Sequence, residues 1–291
     1  MYVAIRDCMF ESAGFDSIVE GLEFVGLDTV EIDIGRNRTA NWLVPRGDEK
    51  RVVLDSPAKV REWWGDYEKY GVKGCAFLLA NNFNAEDMQA EMDWVLWAVR
   101  LAAEVGVKVC RIDSAMAKQH ELPRDERIAL FVKRARELVA ATAGSGVSFG
   151  IENHGAQGND PVWMQAVIDG VGDQRFGYTM DTGNFYWAGH PLSKVYQILE
   201  QFAPWARHTH VKNIKYPPET RETQRQTGWE YGKYVSPIYE GDIDHQRVAK
   251  ILKAAGYQGD FCIEDESLGH FEMAERRHVL KRDADYLKTL V

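Results

Sequence analysis

The chain has 291 residues, 45% hydrophobic and 27% charged, an ordinary globular composition with length enough for one large core. A formal net charge of −9 disfavours nucleic acid as a partner, and no apolar run approaches the roughly 18 residues that a membrane span requires. The four cysteines are scattered without a CxxC pair, and the N-terminus has neither basic flank nor long apolar stretch, so a cytoplasmic protein with reduced thiols is expected.

In chain order, short apolar strands follow helices that end in glycine, the residue that supplies the left-handed turn past a helix. A strand is predicted over Tyr2–Asp7 and a helix over Asp16–Val25. Gly26 leads to a strand at Thr29–Ile34. Ser56-Pro57, an N-cap followed by proline in the first turn, opens a predicted helix over Ala58–Tyr70. Gly71 leads to a strand at Gly74–Leu79. Asn84 is then read as the cap of a long amphipathic helix whose stripe is Met88, Met92, Val95, Val99 and Ala103. Gly106 precedes a predicted strand at Lys108–Asp113, a helix fits Pro123–Ala143, and Gly146 precedes a strand at Val147–Glu152. Predicted helices at Pro161–Ile168 and Leu192–Phe202 alternate with strands at Phe176–Asp181 and Arg207–Lys212. Asp244 is expected to cap His245–Ala255, Gly256 leads to a strand at Asp260–Glu264, and a helix over Glu272–Leu290 ends the pattern.

Eight strands alternating with eight helices give about 36 residues per unit, the signature of a (β/α)₈ TIM barrel of the α/β class. No GxGxxG follows a strand and no GxxxxGK[ST] occurs, which argues against a doubly wound nucleotide-binding sheet. No linker divides the chain, so residues 1–291 are expected to form a single domain. The spare length is expected in one place, the connection 213–243 after strand seven, with Pro217-Pro218 and the aromatics Tyr216, Trp229, Tyr231, Tyr234 and Tyr239. Such a loop either covers substrate or forms a homo-oligomer contact.

Barrels place their chemistry at the carboxyl ends of strands. Here strand five ends Gly150-Ile-Glu152-Asn-His154, strand six Tyr178-Thr-Met-Asp181-Thr-Gly-Asn184, strand seven His208-Thr-His210-Val-Lys212-Asn213, and strand eight Cys262-Ile-Glu264-Asp-Glu266. Glu152 to Asp181 is 29 residues and Asp181 to His210 another 29; His210 to Glu264 is 54, with the excess in the long connection. Alternation along a strand puts Glu152 with His154, His208 with His210, and Glu264 with Glu266 on one face. Bare carboxylates converging on a barrel mouth repel one another, and a divalent cation removes that problem. Glu152, Asp181, His210 and Glu264 are therefore the candidate ligands of one ion. Three carboxylates and an imidazole suit Mn²⁺, Mg²⁺, Co²⁺ or Zn²⁺ alike. His208 either faces the ligand cavity or packs beside it. His120, His190, His245, His270 and His278 fall in predicted loops or helices and are expected at the surface.

With these residues in place, the sequence resembles the xylose isomerase-like superfamily of metal-dependent barrels, nearest its sugar phosphate isomerase/epimerase branch with the ketose 3-epimerases. The matching pieces are Gly150-Ile-Glu152-Asn-His-Gly155, Met180-Asp181-Thr-Gly-Asn184, His210-Val-Lys-Asn213, Glu240-Gly-Asp-Ile-Asp244 and Gly256-Tyr-Gln-Gly-Asp-Phe-Cys-Ile-Glu264. The resemblance implies one divalent metal, commonly Mn²⁺, on Glu152, Asp181, His210 and Glu264, and an acid/base role for Glu152 and Glu264. Asn184 stands where many members have a histidine for substrate or a second metal, which argues against a multinuclear site. Lys212 and Lys215 stand where epimerases of free ketoses often carry an arginine.

The expected activity is isomerisation or epimerisation of a sugar or keto-polyol by proton transfer next to a carbonyl, through a metal-stabilised enediolate. His154, Asn184, His208, Lys212, Trp229 and Glu266 are the expected substrate contacts, Lys212 for an oxyanion or anionic substituent and Trp187, Trp229 and the loop tyrosines for a sugar face. The alternative is a lyase that expels a group, such as water, from the same intermediate, as the inosose and dehydroshikimate dehydratases of the superfamily do. Phosphodiester hydrolysis, the reaction of the apurinic endonucleases of this fold, fits poorly with the negative charge and the absence of further histidines at the ends of strands two and three.

Overall fold

A computed structural model describes residues 1–291. The strands are β1 (Tyr2–Arg6), β2 (Thr29–Asp33), β3 (Lys73–Leu79), β4 (Val109–Asp113), β5 (Ser148–Glu152), β6 (Phe176–Asp181), β7 (Ala206–His210) and β8 (Asp260–Ile263). They pair in parallel in the order β8-β1-β2-β3-β4-β5-β6-β7. Between β7 and β8 there is no full ladder. A single bridge, Val211 with Ile263, closes the barrel there, with Val211 N–H donating to Cys262 O at 2.7 Å and Glu264 N–H to Val211 O at 3.0 Å. The Thr209 hydroxyl takes over part of the missing ladder: it donates to Asp260 O at 3.2 Å and accepts from Cys262 N–H at 3.0 Å.

Helices pack around this cylinder because their apolar stripes must leave water. Seventy-four buried hydrophobic residues form one continuous cluster between helices and strands, as a single domain requires. Gly26, at φ 68°, closes the helix Ile18–Val25 in the left-handed conformation that side chains resist. No helix is long and apolar enough to cross a membrane.

Three local expectations are corrected. The long helix after β3 runs Met88–Val105, and its cap is Asp87, whose carboxylate accepts from Ala90 N–H at 3.0 Å; the Asn84 amide instead donates to Ala117 O at 2.8 Å. The spare length is divided between two places, because an antiparallel hairpin, Thr39–Arg46 with Glu49–Val53, follows β2. His245 is not a surface residue. It is fully buried at the start of the helix His245–Ala254, edge-on to Phe261 at 6.0 Å, and burial lowers its imidazole to about 4.

The 213–243 connection is compact. Asn213 pins both of its ends, donating to Ile238 O at 2.9 Å and Ile243 O at 3.1 Å and accepting from Ile243 N–H at 3.0 Å. Arg225 lies between Tyr186 and Tyr216, 4.5 and 4.4 Å from the ring centres. Trp229 stacks on Tyr234 at 5.6 Å.

Candidate metal centre and active site

Inward-facing positions alternate along each barrel strand, and near the carboxyl ends of β5–β8 they are Glu152, Asp181, His210 and Glu264. One ligand atom from each lies within 4.8 Å of every other, and all four residues are buried. The strand-end motifs explain the convergence. Asp181 Oδ1 accepts from Gly183 N–H at 2.8 Å and Asn184 N–H at 2.7 Å, which turns Oδ2 inward. Asn153 braces β5 against β6, donating to Asp181 O at 3.0 Å and accepting from Asp181 N–H at 2.9 Å and Tyr178 O–H at 2.7 Å. Thr182 accepts from Lys212 N–H at 3.2 Å and ties β6 to β7.

His210 Nδ1 points between the two glutamates, 3.3 Å from Glu152 Oε1 and 3.4 Å from Glu264 Oε2. Asp181 Oδ2, His210 Nδ1 and Glu264 Oε2 are buried and lack a hydrogen-bond partner. Buried polar atoms of native proteins are nearly always hydrogen-bonded, so three such atoms aimed at one point, with only the Lys212 ammonium beside the two oxygens, fit a bound cation. The oxygens pointing away are held by arginines: Arg111 pairs with Glu152 Oε2 and Arg6 with Glu264 Oε1. Lys212 Nζ lies 3.0 Å from Asp181 Oδ2 and 3.3 Å from Glu264 Oε2, and also pairs with Glu266.

The electrostatics follow from this crowding. Burial disfavours charge on Glu152, but Arg111 and His210 outweigh it and hold the carboxyl well below the usual glutamate range. Glu264 is likewise buried, yet Lys212, His210 and Arg6 hold it at about 2. Burial pushes Asp181 up to about 7, with Lys212 opposing and Glu264 and Glu152 adding to the rise. Burial also opposes charge on His210, but Glu31, Glu264 and Glu152 raise it to about 10. A divalent ion would displace the His210 proton and stabilise the Asp181 carboxylate.

Above these four residues opens a cavity of about 410 Å³. His154, Asn184, Lys212 and Glu266 line it as expected, together with Glu152 and Glu264. His154 holds its Nδ1 3.0 Å from Asp113 Oδ1 and is half exposed to the cavity. Asn184 Nδ2 donates to Glu152 Oε1 at 3.3 Å, and Glu266 accepts from Tyr231 O–H at 2.6 Å. Two expected contacts lie elsewhere. His208 is fully buried below the candidate ligands, between Glu31 and Asp260, because it lies two residues before His210 on the same inward face and so one layer deeper in the barrel. Trp229 is taken up by packing against Tyr234 and Tyr216, and the loop reaches the cavity with Tyr231 instead, opposite Trp187.

Sequence reasoning passed over Arg6, Glu31, Arg111 and Asp113. The signal was there: each is a charged residue at an inward phase of an otherwise apolar strand, in Tyr-Val-Ala-Ile-Arg6, Thr-Val-Glu31-Ile-Asp and Val-Cys-Arg111-Ile-Asp113.

Comparison with known proteins agrees with this architecture. The family model for the xylose isomerase-like TIM barrel matches residues 22–290, and the chain belongs to that family. A search of curated protein sequences found no match. Among solved structures, the IolI protein with a bound zinc atom has a TM-score of 0.70 at 16% identity, covering 100% of this chain and 99% of its own. A D-tagatose 3-epimerase-like protein has a TM-score of 0.66 at 16% identity, covering 99% of each chain. The probable 3-DHS dehydratase AsbF of Bacillus anthracis, involved in petrobactin synthesis, has a TM-score of 0.67 at 14% identity, again covering 99% of each. At such identities the likeness is one of fold.

Proposed function

We propose that this member of the xylose isomerase-like barrel family is a divalent-metal-dependent isomerase or epimerase of a small sugar or keto-polyol. The observation that carries the reading is the convergence of Glu152, Asp181, His210 and Glu264, with three buried candidate ligand atoms that make no hydrogen bond, beneath a cavity of about 410 Å³. Mn²⁺ is the proposed ion, with Mg²⁺, Co²⁺ and Zn²⁺ compatible with the same donors. When bound, the ion would supply Lewis acidity toward a carbonyl oxygen and make the neighbouring C–H acidic.

The residues around it divide the remaining work. Glu152 Oε1 and Glu264 Oε2 lie 3.3 and 3.4 Å from His210 Nδ1, and both residues line the cavity, so one glutamate is placed to take a proton from the substrate carbon, and the proton returns from that glutamate or from the other once a substrate hydroxyl has protonated it. Arg111 and Arg6 fix the far oxygens, which holds each carboxylate in one orientation. Lys212, held among Asp181, Glu264 and Glu266 at the edge of the cavity, is placed to stabilise a developing oxyanion. Trp187 and Tyr231 offer apolar faces for a sugar ring.

One observation favours elimination as the second reading. The Asp113–His154 pair stands beside Glu152 with its imidazole open to the cavity, a placement suited to donating a proton to a departing hydroxyl. Proton exchange decides between the two. Mn²⁺-loaded protein is incubated in D₂O with ketoses, ketose phosphates and keto-polyols, and product masses are read. Gain of one deuterium supports isomerisation or epimerisation; loss of water moves the reaction to elimination. No change with any compound, despite stoichiometric metal, removes the substrate class.

A further inference from the structure

We propose that Asp260, His208 and Glu31 form a buried positioning relay that fixes the ring and tautomer of His210 and so sets the metal affinity of the site. The inference rests on the reading of Glu152, Asp181, His210 and Glu264 as a metal centre, and adds residues that touch neither metal nor substrate.

The relay runs along the inside of the barrel. His210 Nε2 lies 3.0 Å from each oxygen of Glu31. Glu31 Oε1 is 2.8 Å from His208 Nε2, and His208 Nδ1 is 2.9 Å from Asp260 Oδ2. The last carboxylate is itself held, since Asp260 Oδ2 accepts from Thr209 N–H at 3.1 Å and Oδ1 from Tyr257 O–H at 3.2 Å. All four members are 2% exposed or less. The two imidazoles stand nearly perpendicular, at 81°, with ring centres 5.1 Å apart, so Glu31 addresses both through nitrogens facing the same point.

The chemistry of the contact settles what the relay does. A carboxylate on Nε2 accepts a hydrogen bond, so Nε2 carries the proton and Nδ1 keeps its lone pair toward the metal position. An imidazole held by one carboxylate can still swing about that bond. Here Glu31 cannot swing with it, because His208 and Arg6, whose Nε is 3.3 Å from Glu31 Oε2, fix the carboxylate from the other side. Apolar packing would fill the space, but it would leave His210 free to choose the wrong tautomer.

The test is metal affinity, read as free Mn²⁺ by electron paramagnetic resonance during titration of the full-length protein. Glu31→Gln keeps shape and every metal ligand, and is expected to weaken Mn²⁺ binding by about 10–100-fold. His208→Gln keeps an N–H for Glu31 and should lose less than His208→Leu, which offers none. Ile151→Ala, on the outer face of β5 next to Glu152, should lower stability without changing affinity, which separates positioning from damage to the core.

A second readout needs no activity, and its first arm uses the wild-type protein alone. In Mg²⁺-loaded protein labelled with ¹⁵N-histidine, His210 Nε2 should carry a proton resonating far downfield, and Glu31→Gln should shift it upfield. Equal Mn²⁺ affinity in Glu31→Gln and wild type overturns the relay and leaves the four-ligand site standing. A wild-type Nε2 without a proton overturns it even if the variants do not fold. Wild-type protein that binds no Mn²⁺ overturns both the relay and the metal centre.

Discussion

Strands β5–β8 and β1–β4 carry charge in different ways. The first set places Glu152, Asp181, His210 and Glu264 at strand ends, where turns and loop N–H groups steer each ligand atom toward one point. The second set places Arg6, Glu31 and Arg111 at inward positions, where Arg6 and Arg111 pair with Glu264 and Glu152 on the neighbouring strands and Glu31 reaches across the barrel to His210. One half supplies donors for a cation, and the other supplies the countercharges that let those donors be buried at all. A buried carboxylate without a partner is expensive, so neither half is stable alone in this arrangement.

The largest effect should come from the donor half. Glu264→Gln is expected to lower turnover by about 10²–10⁴-fold, with circular dichroism unchanged; wild-type turnover would remove Glu264 from the proton transfer. Next, Arg111→Met leaves Glu152 buried without its guanidinium. The metal-free protein should lose about 3–5 kcal/mol in urea unfolding, and a loss under about 1 kcal/mol would mean that the two halves are not coupled through this pair. His154→Asn should leave metal affinity intact. If elimination is the reaction, turnover falls by about 10²-fold or more, whereas a two-glutamate isomerisation should keep most of its rate. The smallest effect belongs to the loop: Tyr231→Phe loses one hydrogen bond to Glu266, and should raise KM by less than about tenfold at constant kcat. A change in kcat instead would put Tyr231 among the residues that act on the reacting atoms.

The same contrast explains what could be read from the sequence. The barrel was legible because glycine-closed helices alternate with apolar strands, and the four candidate ligands because they recur at strand ends, three at 29-residue spacing and the fourth 54 residues on, past the long connection. His208 illustrates the boundary. Its phase with His210 correctly put it inside the barrel, but depth along the axis, which decides between cavity and core, depends on Glu31 and Asp260 far away in the chain. Arg6 and Arg111 were hidden for the same reason, since a charge on an inward strand position has meaning only once its partner on the neighbouring strand is known. The hairpin after β2 escaped because Pro45 and a register shift between Asn41 and Arg46 break its alternation, and because its second strand is mostly exposed. The tight fit of Trp229 against Tyr234 is likewise a property of how the loop folds on itself, and its aromatic content alone left open which ring would reach the cavity.

The single bridge between β7 and β8 would give a bound metal a mechanical meaning. Every other neighbouring pair of barrel strands is zipped by a ladder, while this seam relies on Val211, Ile263 and the Thr209 hydroxyl. His210 and Glu264 hang on opposite lips of that seam. An ion gripped by both would rivet the cylinder at its weakest line, so loading should slow amide exchange at Val211 and Glu264 and leave the β2–β3 ladder unaffected. Emptying the centre would then loosen the wall that shapes the cavity, so that a metal-starved protein would have a slack pocket as well as an idle one.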